Sequence, residues 1–237
     1  MTPRHKSHRR PARRSILIVC EGAETEPQYL RSLIRTLGLS STVDVEIRGD
    51  TGYTDPTGLV NAALKLQQTR RLKAQASNVL SPFEEVWVVF DVEHPGNGRG
   101  PAIAPAVQTA LAKKLRPVLS YPSFEVWYIL HSRVNPPGVA SSHECEPYLR
   151  ACAGGYSKDR NGALQIATWA LPQTRQALDH GHRQAIFSRP ATALTFHIPD
   201  AVGTAVHRLV QTLVDMSSDD AGKLQLGFAI GPDTFRG

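Results

Sequence analysis

The sequence has no long hydrophobic run and very little cysteine. No stretch of its 237 residues approaches the roughly 18–20 apolar residues that a membrane-spanning helix needs. After the basic start, only the six residues 15–20 separate the last arginine from Glu21, which is too short for a signal peptide. Three cysteines do not form a disulfide scaffold, and an odd number is typical of a reducing compartment. We therefore expect a cytoplasmic globular protein without a membrane segment.

Acidic residues are absent from the first 14 positions, which carry six basic ones. The chain has 27 Lys and Arg against 21 Asp and Glu, so subtracting these six leaves 21 of each sign in residues 15–237. We expect residues 1–14 to be a disordered basic tail, because they offer no apolar surface to bury. Such a tail either contacts nucleic-acid phosphates or only keeps the protein in solution, and the sequence leaves both open. The candidate nucleic-acid-binding residues are Arg9, Arg10, Arg13, Arg14 and, in a later loop, Arg99.

Strand and helix patterns alternate through the first half of the chain. The predicted strands are 15–20, 43–48, 85–91 and 117–121, of which the first and third are almost continuously apolar. The predicted helices cover about 25–37, 55–73, 103–115 and 122–131, with Thr25 as an N-cap candidate. This alternation is typical of βαβ units. We therefore predict an α/β fold with a mainly parallel, four-stranded sheet flanked by helices.

The second half of the chain is mainly helical in pattern. Residues 135–142 are rich in Pro, Gly and Ser, which indicates a boundary or an insertion. Helical patterns follow at about 144–152, 161–179 and 201–216. We predict an α/β core over residues 15–135 and a mainly helical C-terminal region over residues 136–237 that packs on it.

Acidic residues stand where the two most apolar strands end. Glu21 follows the first, while Asp91 and Glu93 end the third. Ligands of open parallel sheets bind outside the carboxyl ends of the strands, and residues two apart in an extended segment point to the same side. If the strands are neighbours, the three carboxylates repel one another unless one is protonated or a hard cation is bound. The pattern favours a Mg²⁺ (or Mn²⁺) site, and its alternative is isolated acids that cap helices or face solvent.

Five sequence blocks stand in an order that resembles a known family. They are E-G-A-E-T-E-P-Q-Y at 21–29, V-F-D-V-E at 89–93, P-S-F-E-V-W-Y-I-L-H at 122–131, Y-S-K at 156–158 and V-H-R-L-V-Q-T-L at 206–213. The chain resembles the RloB family of Toprim-related proteins, which is associated with bacterial phage defence. Its core is similar to the Toprim catalytic core, in which a Glu follows the first strand and a D-x-D follows the third. Two departures are Glu93 in place of the second Asp and Tyr121 before Pro122 in place of an Asn.

The resemblance implies a Toprim-like (Rossmann-like) core that cleaves phosphodiesters in DNA or RNA, tRNA included, with a bound metal ion. The protein would be the effector of a defence system and would work with a partner ATPase. Asp91 and Glu93 would hold Mg²⁺, and Glu21 would be either a further ligand or the general base. The matched blocks add Glu125 as a fourth carboxylate and Lys158 as a cation for the phosphate. Their alternatives are a helix cap or internal ion pair for Glu125 and an ordinary exposed lysine for Lys158.

Several other interpretations compete with the nuclease. The main one is a non-catalytic sensor or partner-binding subunit that uses the acidic edge, and a weaker one is a nucleotide-binding protein that uses the glycine-rich loop at 96–100. A zinc site of His143, Cys145 and Cys152 lacks the close paired spacing of structural zinc sites. Glu26 lies in the first matched block, but we take helix capping as its default role. We expect His131 to pack or to cap the end of its helix.

Overall fold

The computed structural model describes residues 13–76, 80–93, 100–184 and 202–229. The strands in these ranges are β1 Arg14–Cys20, β2 Val43–Arg48, β3 Glu85–Asp91, β4 Arg116–Tyr121 and β5 Gly203–Thr204. The helices are α1 Thr25–Thr36, α2 Pro56–Gln75, α3 Gly100–Ala112, α4 Glu125–Leu130, α5 Ser142–Ala153, α6 Arg160–Ala170, α7 Thr174–His182, α8 Val206–Met216 and α9 Asp220–Gln225. Within the same ranges, no helix has the length and apolar character needed to cross a membrane.

One sheet joins all five strands in the order β2-β1-β3-β4-β5. The first four strands are parallel and β5 is antiparallel to β4, which confirms the predicted mainly parallel α/β architecture. The predicted number of four strands is wrong. A strand of two residues is too short to show an alternating pattern, and β5 falls within the helix that the sequence predicts over about 201–216. A hydrogen bond of 2.7 Å between the Ser120 and Thr204 hydroxyls helps to hold β5 to β4.

Helices cover both faces of the sheet, which explains the apolar strands. Every residue of β1 after Arg14 is buried, and so are the five central residues of β3. The connection from β1 through α1 to β2 runs toward one edge of the sheet, and the connections through α2 and α3 run toward the other edge. Because such crossovers are right-handed, α1 lies on one face of the sheet and α2 and α3 lie on the other face. The observed packing agrees, because α2 lies against α3 and α1 lies against α6.

The chain reverses its direction along the sheet between β1 and β3. From β1 it passes to β2 on one side, and from β2 it crosses to β3 on the other side of β1. Cys20 is paired with Val89 across these strands, and the Glu21 amide donates to the Val89 carbonyl oxygen at 3.0 Å. The ends of β1 and β3 therefore flank the switch point, where sheets of this kind bind their ligands.

Several predicted boundaries shift. The α1 helix begins at Thr25, with Glu24 as its N-cap and no side-chain cap bond, so the predicted Thr25 cap is wrong. The helix predicted over 161–179 is divided by a 3₁₀ turn at Leu171–Gln173. That turn contains Pro172, which has no amide hydrogen for the helical ladder. The α4 helix is shorter than predicted and begins at Glu125.

The predicted tail reaches into the fold. Arg14 is the first residue of β1, and its guanidinium forms ion pairs with Glu85 at 3.1 Å and Glu84 at 3.5 Å. Residues 1–12 lie outside the described residues, as do Arg9 and Arg10 among the candidates. The division at residue 135 stays a prediction.

A cluster of aromatic rings joins α1 to α4 beneath the carboxyl ends of the strands. Tyr29 of α1 makes edge-to-face contacts with Phe124, Trp127 and Tyr128. His131 is buried beside them, where its Nδ1 donates to the Trp127 carbonyl oxygen at 2.9 Å. Burial lowers the pKa of His131 to about 3, so the ring is neutral. The predicted packing role of His131 is confirmed.

Candidate active site

A pocket of about 310 Å³ lies at the carboxyl ends of β1 and β3. It is lined by residues of both strand ends, of α1, of the loop before α2, of α4 and of the loop before α6. The charged residues of its lining are Glu21, Glu24, Glu26, Asp91, Glu125 and Lys158. The predicted catalytic residues Glu21, Asp91, Glu125 and Lys158 therefore meet at one place.

Backbone amides hold the carboxylates of Glu21 and Asp91 in position. One Glu21 oxygen accepts a hydrogen bond from the Asp91 amide at 3.2 Å, across the β1–β3 boundary. One Asp91 oxygen accepts from the Phe124 amide at 2.9 Å, just before α4. These bonds link the two strand ends to the start of α4.

Glu26 is a site residue, although its position at the start of a helix predicts capping as its default role. Its side chain is 5% exposed, and its Oε1 accepts from the Gly22 amide at 3.0 Å, in the loop before the helix. A side chain at Gly22 would collide with the Glu26 carboxylate, so glycine is required for this approach. Glu26 therefore belongs to the pocket as well as to the first turn of α1.

Glu125 is held by two residues from beyond the predicted core. Its buried Oε1 accepts from the Tyr156 hydroxyl at 2.8 Å and lies 3.2 Å from the Lys158 ammonium. Lys158 also donates to the Ser142 hydroxyl at 2.8 Å. Burial is the largest single influence and lowers the pKa of Lys158, but the carboxylates of Glu125, Asp91 and Glu146 together raise that pKa above its usual value. The lysine thus brings a lasting positive charge to the pocket.

Negative charge is in excess in this pocket. Burial is the main cause that raises the pKa of Asp91 well above its usual value, and the carboxylates of Glu26, Glu125 and Glu21 raise it further. Burial likewise raises the pKa of Glu26 to about 7, with smaller contributions from Glu125 and Glu21. The carboxylates destabilise one another because Lys158 is the one cation in the described lining. A proton or a bound cation would relieve that repulsion.

Glu93 is placed differently from the other predicted carboxylates. The β3 strand ends at Asp91, and Glu93 has a left-handed backbone with a φ of 53°. Its amide donates to the Pro122 carbonyl oxygen at 2.9 Å, and its side chain is not in the described lining of the pocket. Side chains two residues apart point to the same side only where the backbone is extended. The strand ends at Asp91 and the backbone at Glu93 is left-handed, so this rule does not place Glu93 beside Asp91. A metal-ligand role for Glu93 stays a prediction.

The donor chemistry of the pocket suits a hard cation. In the described parts of the chain, no group of three or more His, Cys, Asp or Glu side chains is arranged to hold a metal ion. Mg²⁺ commonly takes only one or two protein carboxylates and fills its shell with water and phosphate oxygens. Glu21 and Asp91 supply two such carboxylates on neighbouring strand ends, amid an excess of negative charge.

The basic candidates do not join this pocket. Arg13 is exposed and Arg14 begins β1, at the opposite end of the sheet from Glu21. Arg99 and most of the glycine-rich loop at 96–100 lie outside the described residues, so the nucleotide-loop interpretation stays untested.

Charge patterns do not reveal one residue of the pocket, Glu26, or the residue that supports Glu125, Tyr156. Glu26 and Tyr156 stand in the matched blocks at 21–29 and 156–158, which was the available signal for both. Nothing in the local sequence shows that Glu26 faces the strand ends or that Tyr156 reaches Glu125.

Comparison with known proteins gives one match. A family model described as RloB-like protein matches residues 16–213. The matched span contains every carboxylate of the pocket together with Tyr156 and Lys158. Comparison with curated proteins and with solved structures gives no match.

Proposed function

The chain belongs to the RloB-like family, and we propose that it is a divalent-metal-dependent nuclease. The observation that carries this proposal is the meeting of Glu21, Glu26, Asp91 and Glu125 with Lys158 at the switch point of a parallel sheet. Surplus carboxylates suit a hard cation, and a lysine suits a phosphate. Metal-assisted phosphodiester hydrolysis can use both groups.

Glu21 and Asp91 would hold Mg²⁺ or Mn²⁺ in this proposal. When bound, the ion supplies Lewis-acid polarisation of a phosphoryl oxygen and offsets the charge that develops there. The residues themselves provide the rest of the chemistry. A carboxylate takes a proton from the attacking water, whose oxygen bonds to phosphorus while the bond to the leaving ribose or deoxyribose oxygen breaks. Glu26 is the candidate for that carboxylate where Glu21 holds the ion, and Glu21 is the candidate where Asp91 holds it without Glu21.

Lys158 would balance the developing negative charge of the phosphate. Its ammonium lines the pocket and is held between Glu125 and Ser142. A cation fixed before the reaction needs no reorganisation during it, which is how such groups lower a barrier. Glu125 and Tyr156 then act as positioning residues for Lys158.

The wider biological role is part of the proposal. Family membership and the five ordered sequence blocks support a Toprim-type core, an effector role in phage defence and a partner ATPase that restrains or triggers the enzyme. DNA and RNA, tRNA included, are both candidate substrates.

An incubation assay tests the activity. Purified protein is mixed with plasmid DNA, single-stranded DNA and total tRNA, each with Mn²⁺ and with EDTA. We expect cleavage of at least one substrate only with Mn²⁺, and its loss in Glu21→Gln, which keeps the size of the side chain. Equal cleavage by the Glu21→Gln protein would trace the activity to a contaminant and contradict the proposal.

A second candidate is a non-catalytic sensor or partner-binding subunit. It is favoured by the lack, among the described residues, of a three-residue metal cluster. Toxicity of the expressed protein in bacterial cells separates the two candidates. Lost toxicity in Glu21→Gln with intact partner binding supports catalysis, whereas unchanged toxicity supports the non-catalytic role.

A further inference from the structure

Basic residues collect at the end of the sheet opposite the pocket. The α2 helix contains Lys65, Arg70, Arg71 and Lys73 and no acidic residue. The α3 helix also lacks acids and is followed directly by Lys113 and Lys114. We name the four residues Arg71, Lys73, Lys113 and Lys114 the basic end.

Contacts of Arg70 show where the last turns of α2 lie. Its guanidinium forms an ion pair with Asp44 of β2 and donates to the Ser81 carbonyl oxygen before β3 at 2.8 Å. It also lies 3.4 Å from the Ser15 hydroxyl near the start of β1. The end of α2 therefore sits at the amino ends of three strands.

The end of α3 reaches the same place. The α3 helix packs against α2, and the chain after it enters β4 at Arg116 within four residues. The Leu115 amide closes the helix end by donating to the Ala110 carbonyl oxygen at 2.8 Å. Lys113 and Lys114 therefore also lie at the amino ends of the strands.

The acids in this part of the molecule are already neutralised. Asp44 pairs with Arg70, while Glu84 and Glu85 pair with Arg14 and Arg116. The four residues of the basic end are exposed, and none of them forms an ion pair with a described residue. The dipoles of α2 and α3 favour cations at the ends of these helices. Each dipole is equivalent to only about half a negative charge, so the two together do not neutralise the four positive charges of the basic end.

The sequence that precedes β1 is also basic. It joins the fold at the start of β1, beside the paired Glu85. Its cations, with no acid among residues 1–13, are Arg4, Lys6, Arg9, Arg10 and Arg13. Exposed cations without acidic partners are the usual means by which proteins contact a phosphodiester backbone.

We propose that the basic end binds the phosphodiester backbone of a nucleic acid at a distance from the catalytic pocket. This inference deepens the proposed nuclease function and rests on it for the identity of the polyanion. The seven residues of β3 separate the two ends by about 20 Å at roughly 3.3 Å per residue. About six nucleotides at 3.4 Å each span that length, so only a polymer reaches both. The basic end recruits the polymer, and the pocket cuts it.

A binding titration tests the basic end in the full chain. A fluorescein-labelled DNA duplex and a labelled RNA hairpin are titrated in EDTA, so that no cleavage occurs. The variant carries Arg71→Gln, Lys73→Gln, Lys113→Gln and Lys114→Gln. The matched control carries Arg31→Gln, Arg133→Gln, Arg160→Gln and Arg183→Gln, which removes four exposed cations outside α2 and α3.

We expect the basic-end variant to bind at least about 10-fold more weakly at low salt. The slope of log Kd against log salt should also be smaller by about 3 to 4 for the duplex. Each of the four lost phosphate contacts lowers this slope by about 0.9. The control should retain its affinity and slope. An equal loss in the control, or an unchanged slope in the variant, would overturn the proposal.

Two further measurements give the remaining outcomes. Competition by polyglutamate as strong as by unlabelled duplex, at equal charge concentration, would make an acidic protein the partner and overturn the proposal.

Hydrolysis of bis(p-nitrophenyl) phosphate with Mn²⁺ should be unchanged in the basic-end variant, because this substrate cannot reach the basic end. If the wild type fails to hydrolyse it or any nucleic acid, the nuclease proposal fails while the binding result still stands.

Discussion

The two ends of the sheet carry charge of opposite sign and in different surroundings. At the carboxyl ends, Glu26 and Glu125 are buried and Asp91 is partly buried, and Lys158 is the one cation in the described lining. At the amino ends, the cations are exposed and the nearby acids are paired. Residues 15–237 have no net charge, yet the charge is separated along the strands. Net charge is therefore a poor guide to this molecule, and the location of charge is a better one.

Burial makes the two ends behave differently. A carboxylate out of water interacts strongly with its neighbours, because the surrounding dielectric constant is low. An exposed cation is screened by water and salt and contributes little to stability. Changes at the acidic pocket should therefore affect catalysis and folding strongly, whereas changes at the basic end should affect only the binding of polyanions.

The largest expected effect separates Glu26 from Glu93. We expect Glu26→Gln to lower the rate of nucleic-acid cleavage on the order of 1,000-fold, because it removes a carboxylate from the pocket. Glu93→Gln should lower the rate by less than about 3-fold, because the Glu93 side chain is not in the described lining. Initial rates with Mn²⁺ measure both. A larger loss of cleavage rate in Glu93→Gln would support the prediction from the sequence that Asp91 and Glu93 act together.

The next effect concerns the pH dependence of stability. The pKa of Glu26 is about 7 in the folded protein and about 4.5 when unfolded. Between pH 4.5 and pH 7, Glu26 is therefore protonated in the native state and ionised in the unfolded state. Stability is therefore lost as pH rises through this window, by up to about 3 kcal/mol from Glu26. Glu26→Gln should show a correspondingly smaller loss. Urea unfolding at pH 5 and pH 8 in EDTA measures it, and Glu84→Gln at the exposed end is the control.

A divalent cation should offset part of that repulsion. At a Mn²⁺ concentration of ten times its Kd, we expect the wild type to gain about 1.4 kcal/mol in unfolding free energy at pH 8. Asp91→Asn should gain much less, because it removes a proposed ligand. Thermal unfolding with MnCl₂, and with KCl at the same ionic strength, distinguishes binding from screening. An equal gain with KCl would exclude a specific cation site.

The smallest effect is expected at the basic end. Lys113→Gln should change the unfolding free energy by less than about 0.5 kcal/mol, because Lys113 is exposed and forms no ion pair with a described residue. Urea unfolding at low and high salt measures this change. A clear loss of stability would show that Lys113 serves the fold, which would weaken the contrast between the two ends.

Local patterns predicted much of the fold, for physical reasons that stay local. Continuous apolar runs located β1 and β3, because strands covered on both faces must be apolar along their length. The Gly203–Thr204 strand escaped prediction, because its pairing depends on Ser120 and Leu119 far away in the chain. The same contrast holds for the pocket. Glu21 and Asp91 follow from strand ends, whereas Tyr156 is placed by its long-range contact with Glu125.

The alternation of strands and helices, the family and the acids at two strand ends can all be read from the amino-acid order. These features depend on apolar periodicity and on ordered motifs, which are properties of the chain alone. Which of these acids meet depends on the folded arrangement of the chain. The neighbouring positions of β1 and β3, the left-handed backbone at Glu93 and the approach of Tyr156 to Glu125 each depend on contacts between distant segments. The separation of acidic and basic ends follows for the same reason, because parallel strands gather distant residues at each end of one sheet.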